Sequence, residues 1–266
     1  MDSTDVKGAA SRASDHPALT AAARTGFAVS GLIHLLIGWI ALQVALGGGG
    51  KNADQSGALS SLAGNPLGKA LLWVAVLGFL GLAIVQLAEA LLASGQDDKD
   101  VWKDRGKAVG KLVLYLALAW SALTFARGGS KNSRSQSQDF TATLLDKPGG
   151  RLLVVVIGLA VLAAGGYHVY KGWSEKFLED LESHPGRAAT VLGRVGFIAK
   201  GLVLAIVGVL FVAAGLHRRA SEASGMDGAL KSLREQPFGT VLLVLVAAGL
   251  IAFGLYCFAR AKHAKV

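Results

Sequence analysis

Six long apolar blocks separated by polar loops constrain this chain more than any other feature of its sequence. They cover residues 25–46, 67–92, 112–126, 152–171, 195–216 and 238–258. A helix needs about 20 mostly apolar residues to cross the hydrocarbon layer of a bilayer, and all the blocks except the third have that length. An earlier start of the third would bring Lys107 and Lys111 into the span, from where they would reach back to the interface.

These blocks are expected to be helices rather than strands. Backbone groups in lipid must be hydrogen-bonded within their own segment, and no block alternates apolar and polar residues as the strands of a membrane barrel do. We therefore predict an all-α integral membrane protein with six transmembrane helices.

The composition agrees with a membrane location and excludes several classes of function. Residues of the types AVILMFWYC make up 52% of the 266 residues, and charged residues only 17%, against about 25% in soluble domains. The net charge of +9 does not indicate nucleic-acid binding, because the basic residues flank the apolar blocks without an aromatic-lined stripe. The single cysteine, Cys257, excludes an internal disulfide and a cysteine metal cluster.

Lys and Arg residues predict the orientation. They are in excess in the N-terminal tail, the second and fourth loops and the C-terminal tail, which predicts that both termini are cytoplasmic. The tail at residues 1–23 lacks the basic-then-apolar layout of a cleaved signal peptide, so the first block is predicted to be a retained helix.

The chain contains three copies of one two-helix unit. Arg24, Gly26, Phe27, Gly31, Leu32 and Gly38 in the first block recur as Arg194, Gly196, Phe197, Gly201, Leu202 and Gly208 in the fifth, at a constant offset of 170. The third block is a degenerate copy, in which Gly110, Lys111 and Leu112 stand roughly where Ser30, Gly31 and Leu32 stand.

The even-numbered blocks repeat more regularly. They open with Pro66-Leu-Gly68, Pro148-Gly-Gly150 and Pro237-Phe-Gly239, and a leucine stands four residues before each proline. Small residues follow at fixed distances from the proline: Gly78, Ala160 and Gly249 after twelve residues, and Ala83, Gly165 and Gly254 after seventeen. Because small residues let membrane helices approach closely, we predict packing contacts at these glycines and at those of the odd blocks.

Two helices per copy make all three copies parallel across the bilayer, so a pseudo-threefold axis along the membrane normal is expected. Three hairpins in a row are the alternative that the sequence leaves open. The predicted organisation is a polar tail at residues 1–23, repeats at 24–98, 103–182 and 187–260, and a basic tail at 261–266.

The repeat signature resembles a known group. Arg-x-Gly-Phe opening one membrane helix and Pro-Phe-Gly opening the next are similar to the bacterial domain-of-unknown-function family numbered twelve hundred and six. The resemblance extends from Arg24 to about Arg260, and the middle copy departs from it in its first helix. It implies three tandem repeats in a bacterial cell membrane, and it implies no activity, cofactor or catalytic residue.

Polar residues inside the membrane are costly and are therefore candidate functional residues. His34 lies about halfway along the first block, where a proton relay, a haem ligand, a substrate contact or a plain interhelical hydrogen bond are the alternatives. His168, Gln86 and Cys257 stand twenty residues after the three prolines and are predicted to form a polar ring if they face the axis. The most specific hypothesis for the two histidines is a haem held by His34 and His168, although the predicted depths of these residues in the membrane differ.

Three residues after these positions, each repeat carries a charged residue: Glu89, Lys171 and Arg260. They are predicted to pair across repeats or to line an inner mouth, and solvated residues at helix ends are the plainer alternative. Lys200 is expected to reach the cytoplasmic surface.

Two loops also carry predictions. Residues 173–182 place four apolar side chains on one helical face, Trp173, Phe177, Leu178 and Leu181. This favours a short helix lying on the membrane surface. Residues 128–138 are rich in Ser, Lys, Arg and Gln, and are expected to form an exposed flexible loop on the outer side.

The sequence contains no signature of a phosphate-binding loop, a metalloprotease or a nucleophile elbow. It therefore predicts no enzyme, no metal site and no cofactor. The expected function is that of an accessory or scaffold component of a membrane assembly, with the bilayer and a membrane-protein partner or a second copy as its contacts. A small channel or transporter and a haem- or quinone-binding protein are the alternatives.

Overall fold

The computed structural model describes residues 17–48, 51–92 and 98–265. Its helices are α1 (Pro17–Ala45), α2 (Gln55–Ala63), α3 (Pro66–Leu92), α4 (Asp98–Ala126), α5 (Ser133–Leu145), α6 (Gly150–Trp173), α7 (Arg187–His217), α8 (Gly225–Arg234) and α9 (Gly239–His263), with 3₁₀ turns at Lys176–Asp180 and Ala220–Glu222. In the described part of the chain, α1, α3, α4, α6, α7 and α9 are long and apolar enough to cross a membrane. The predicted all-α architecture with six spans is confirmed.

The structure corrects several boundaries. Helix α4 begins at Asp98, well before the predicted third block, and its Lys111 lies 3.9 Å from Glu89 of α3. The segment expected to be a flexible loop contains the start of α5, whose first turn is capped by the side chain of Asn132. We call the end of the molecule at which α1 begins and α9 ends the inner end, and the end that carries α2, α5 and α8 the outer end.

The three hairpins follow one another around a pseudo-threefold axis. The second helix of each repeat packs along the first helix of the next one: α3 on α4, α6 on α7, and α9 on α1. The contact between α9 and α1 joins the last repeat to the first, which excludes a simple row of hairpins. The close contacts between consecutive repeats are what the repeated small residues allow.

The outer end shows the same symmetry in its hydrogen bonds. Ser56, Gln138 and Asp227 each stand ten residues before the repeat proline. The Oγ of Ser56 accepts a bond from the backbone N–H of Ser133 at 3.3 Å. The Nε2 of Gln138 donates to the carbonyl of Ser221 at 2.8 Å, and Oδ1 of Asp227 accepts from the backbone N–H of Ala53 at 3.0 Å. Each repeat is thus bonded to the next in a complete cycle.

Apolar packing between the short helices closes the outer end. Leu59, Thr141 and Leu230 stand seven residues before the three prolines, and their exposed fractions are 0%, 0% and 1%. Three repeat-equivalent side chains are therefore excluded from solvent where α2, α5 and α8 meet. The short helices thus bury repeat-equivalent side chains at the outer end.

Glycines at the helix crossings allow backbones to approach. A Cβ atom at Gly31 would lie 2.8 Å from the carbonyl oxygen of Gly254, and one at Gly201 would lie 2.7 Å from that of Gly165. Gly26, Gly38, Gly78, Gly196, Gly208, Gly249 and Gly254 are similarly enclosed by a neighbouring membrane helix. Gly68, Gly150 and Gly239 lie instead against backbone carbonyls at the end of the preceding short helix, where any side chain would clash.

One hairpin interface of the bundle is open. Helices α1 and α3 pack together, as do α7 and α9, but α4 and α6 of the middle repeat do not pack along their lengths. Gly78 and Gly249 are buried in their repeats, whereas their counterpart Ala160 is exposed. Ala83, Gly165 and Gly254 are all buried, and Gly165 and Gly254 face the neighbouring repeat. We call the space between α4 and α6 the open side.

The connection between α6 and α7 covers the inner end, and the predicted surface helix in it is wrong. Phe177 has an exposed fraction of 0% and stacks on Phe197 of α7 with ring centroids 5.2 Å apart. The backbone N–H of Glu182 donates to the carbonyl of His263 at 2.7 Å, and that of Lys265 to Asp180 at 3.1 Å. Of the apolar face predicted to lie on lipid, Phe177 and Leu181 are buried, and Phe177 packs between α7 and α9. Trp173 remains 69% exposed.

Candidate functional site

A polar cavity of about 230 Å³ lies at the inner end, between α1, α3, α4, α9 and the 3₁₀ turn. We call it the inner cavity. It brings together three residues that the sequence singled out, Gln86, Glu89 and Arg260. Its lining also includes Phe27, Leu82, Val85, Lys111, Tyr115, Glu179, Asp180 and Lys265. One side of the cavity is therefore apolar and the other carries charges of both signs.

Asp180 organises the basic residues near the cavity. The Nζ of Lys171 donates to its Oδ2 at 2.6 Å, and Nη2 of Arg260 lies 3.6 Å from the same oxygen. The guanidinium of Arg260 also lies 4.4 Å over the ring of Phe27. Lys171 and Arg260 are thus joined through a loop carboxylate whose role the sequence pattern does not reveal. Glu89 pairs instead with Lys111.

Two buried polar atoms near this cavity have no hydrogen-bond partner. One is the acceptor Oε1 of Gln86 and the other is the donor Nε of Arg260. Gln86 is only 5% exposed. A buried polar group without a partner costs roughly 1–3 kcal/mol, so each such atom needs an explanation.

The three residues predicted to form a polar ring have different neighbours in the structure. Gln86 lines the inner cavity and His168 stacks on Phe197. A Cβ atom at Gly31 of α1 would lie 3.2 Å from the Cβ of Cys257. Cys257 therefore belongs to the contact between α9 and α1.

The two membrane histidines are packed and hydrogen-bonded to their own helices. Nδ1 of His34 lies 2.7 Å from the carbonyl of Ser30, and Nδ1 of His168 lies 2.8 Å from that of Ala164, so each Nδ1–H donates one turn back. His34 contacts Phe253, Phe253 contacts Phe197, and Phe197 contacts His168. Two phenylalanine rings thus separate the histidines, and this arrangement does not suit a haem shared by both.

Lys200 lies deeper than expected. Helix α7 begins at Arg187, so Lys200 is in its interior rather than near its start. Its Nζ lies 4.3 Å over the ring of Phe253, a cation–π contact that partly replaces hydration. The expectation that Lys200 reaches the cytoplasmic surface assumed a later start of this helix than the structure shows.

Within residues 17–48, 51–92 and 98–265, no three His, Cys, Asp or Glu side chains come together. The inner cavity can bind a polar group between its charged residues. The open side can hold a further helix.

Comparison with known proteins places the chain in a family. The family model described as Domain of Unknown Function (DUF1206) matches three times in tandem, at residues 25–93, 107–175 and 195–264. The uncharacterized protein YxxB of Bacillus subtilis (strain 168) is 27% identical over 241 residues, which are 88% of this chain and 86% of that protein. No solved structure gives a significant match.

The three family matches coincide with the three hairpins, α1 with α3, α4 with α6, and α7 with α9. The protein is thus a multi-pass membrane protein built from three tandem repeats, and it belongs to the DUF1206 family.

Proposed function

We propose that this protein is a non-enzymatic accessory or scaffold component of a larger membrane assembly, in a bacterial cell membrane with both termini in the cytoplasm. The observation that carries the proposal is the open side. Two of the three equivalent hairpin interfaces are formed, and in the third, α4 and α6 do not pack along each other.

The other two repeats indicate what would fill this space. Gly78 packs against Gly26, and Gly249 against Ala199, so a membrane helix approaches closely at this register in both. In the middle repeat Ala160 is exposed at the same register. Gly110 of α4 also has nothing within 4 Å of where its Cβ would be. We therefore assign the open side to a single transmembrane helix of a partner membrane protein, held by small-residue contacts.

The alternatives have less support. A channel or transporter would draw on the pseudo-threefold axis, but Leu59, Thr141 and Leu230 fill the outer end of the described bundle. A haem-binding role would draw on His34 and His168, which two phenylalanine rings keep apart.

Site-specific photo-crosslinking in native membranes tests the proposal. A photoreactive residue at Ala160 is expected to crosslink to one membrane protein, and the crosslinked peptide should map to a transmembrane segment with a small residue at the contact. Gly166 is the matched control on the same helix, because it also has nothing within 4 Å of its Cβ position but lies on another face. It should crosslink to lipid alone.

A bulky substitution provides the second arm. Ala160→Trp should abolish the crosslinked complex at the open side and leave the thermal unfolding of the purified chain unchanged. Crosslinks from Ala160 to lipid alone, or to a second copy of this chain, would overturn the assignment of a partner helix.

A further inference from the structure

The inner cavity has the features of a binding site for a small polar molecule. It lies towards the inner ends of α3 and α9. A water molecule occupies about 30 Å³ in the liquid, so a cavity of about 230 Å³ has room for a molecule larger than one or two waters. Its apolar side, formed by Phe27, Leu82 and Val85, gives such a molecule a wall to pack against.

The unpaired atoms at the cavity specify the hydrogen bonds that a ligand would make. Oε1 of Gln86 can only accept, and Nε of Arg260 can only donate. Gln86 is more than nine-tenths buried and lines the cavity. Because both unpaired atoms are shielded from solvent, the Gln86 and Arg260 side chains must turn to reach a ligand in the cavity. A ligand that satisfies both atoms must offer a donor to one and an acceptor to the other.

The charges at the cavity have the same two-sided character. Glu89 and Asp180 can attract a cation, while Arg260 and Lys111 can attract an anion. The pair formed by Glu89 and Lys111 is loose at 3.9 Å, so both groups retain capacity for another partner. A lone anion or a lone cation would meet a like charge next to its own partner, whereas a molecule that carries both charges would not.

We propose that the inner cavity binds a zwitterion in which a primary ammonium is linked by a short chain to a phosphate, as in phosphoethanolamine. The ammonium donates to Oε1 of Gln86 beside Glu89, and the phosphate accepts from Nε of Arg260 beside Lys111. The same chemistry has two sources, the headgroup of phosphatidylethanolamine and a free solute. The site is separate from the open side, so it stands or falls independently of the partner helix.

Calorimetric titration of the purified full-length protein with O-phosphoethanolamine is the first test. We expect saturable binding, and at least tenfold weaker binding of phosphocholine, whose trimethylammonium has no N–H to donate to Gln86. A site built around a hydrogen bond discriminates strongly against an analogue that cannot form it. Gln86→Leu should also weaken O-phosphoethanolamine binding at least tenfold, with an unchanged melting temperature in the absence of ligand.

Gln43→Leu is the matched control, because Gln43 lines a different pocket, together with Trp39 and Lys51 near the outer end of α1. It should leave binding unchanged. Native mass spectrometry from nanodiscs distinguishes the sources. Retention of phosphatidylethanolamine over phosphatidylcholine, lost in Gln86→Leu, assigns a lipid headgroup, whereas binding of the soluble zwitterion alone assigns a free solute.

Two results would overturn the proposal. If neither O-phosphoethanolamine nor phosphatidylethanolamine binds, the cavity holds water only. If phosphocholine binds equally well, or if Gln86→Leu binds as the unmodified protein does, the ligand is not held by these atoms.

Discussion

Replacing Asp227 by alanine is expected to lower the free energy of unfolding by about 1–3 kcal/mol, the cost of leaving a buried hydrogen-bond donor without its acceptor. The Asp227 side chain is fully buried. It accepts from the backbone N–H of Ala53 at 3.0 Å and from Nζ of Lys231 at 2.7 Å, and it lies 3.9 Å from Nη1 of Arg134. One carboxylate therefore connects all three repeats at the outer end, and its removal leaves a buried backbone donor without an acceptor.

Denaturant unfolding in detergent micelles measures this effect. Asp139→Ala is the matched control, because Asp139 lies exposed on α5, the equivalent short helix, and we expect a change within about 0.5 kcal/mol there. Asp227→Asn should fall between the two, since the amide oxygen can still accept from Ala53 but the charge is lost. Equal stabilities of Asp227→Ala and Asp139→Ala would show that the outer end is not held together as described.

Replacing Gly165 by leucine is expected to destabilise the bundle by about 3 kcal/mol, near the upper end for overpacking. A Cβ atom at Gly165 would lie 2.6 Å from the backbone nitrogen of Ala205 and 2.8 Å from the carbonyl of Gly201. These are backbone atoms of α7, so they cannot move aside as a side chain could. The two helices would have to separate along this contact.

The neighbouring glycine provides the control on the same helix. Gly166 has nothing within 4 Å of its Cβ position, so Gly166→Leu should be neutral or stabilising by up to about 1 kcal/mol through helix propensity. Thermal unfolding of the two variants side by side makes the comparison. A Gly166→Leu variant as unstable as Gly165→Leu would contradict the assigned contact between α6 and α7.

The architecture of this protein was predictable because the bilayer simplifies the sequence. Helix number followed from block length, and the parallel arrangement followed from two spans per repeat. The repeat also indicated structurally equivalent positions. Small residues seventeen positions after each proline, Ala83, Gly165 and Gly254, are all buried. Local pattern and packing agree here because both depend on side-chain size alone.

The inner end was harder to predict because its contacts are between segments far apart in the sequence. Asp180 and Phe177 lie in a loop whose amphipathic pattern is equally compatible with a lipid surface and with a protein interior. Tyr256 decides the outcome, since it packs against Phe177 with ring centroids 5.1 Å apart. No local pattern in either segment specifies that pairing.

The open side could not be predicted from the repeat itself. Ala160 is as small as its counterparts Gly78 and Gly249, so the sequence indicates the same close contact in all three repeats. The difference arises in α4, where Val113 and Trp120 are more than half exposed and Gly110 has no neighbour. The sequence shows that α4 departs from the repeat pattern. The effect of this departure on the hairpin depends on how α4 is rotated about its own axis, which the sequence does not specify.

The cyclic arrangement of the repeats is tested most directly by a disulfide between the first and last membrane helices. The side chain of Ser30 in α1 lies close to that of Cys257 in α9, and a Cβ atom at the adjacent Gly31 would lie 3.2 Å from the Cβ of Cys257. Cys257 is the only cysteine in the chain. Ser30→Cys therefore places two thiols within the range of disulfide formation, with the smallest change of shape that serine allows.

We expect mild oxidation of Ser30→Cys in native membranes to give an intramolecular disulfide, seen as a gel shift that reductant reverses. The double variant Ser30→Cys with Cys257→Ala should give none. A Ser30→Cys protein that keeps two free thiols under oxidation, and whose thiols a short bifunctional reagent also fails to bridge, would contradict the contact between α9 and α1 and with it the cyclic arrangement.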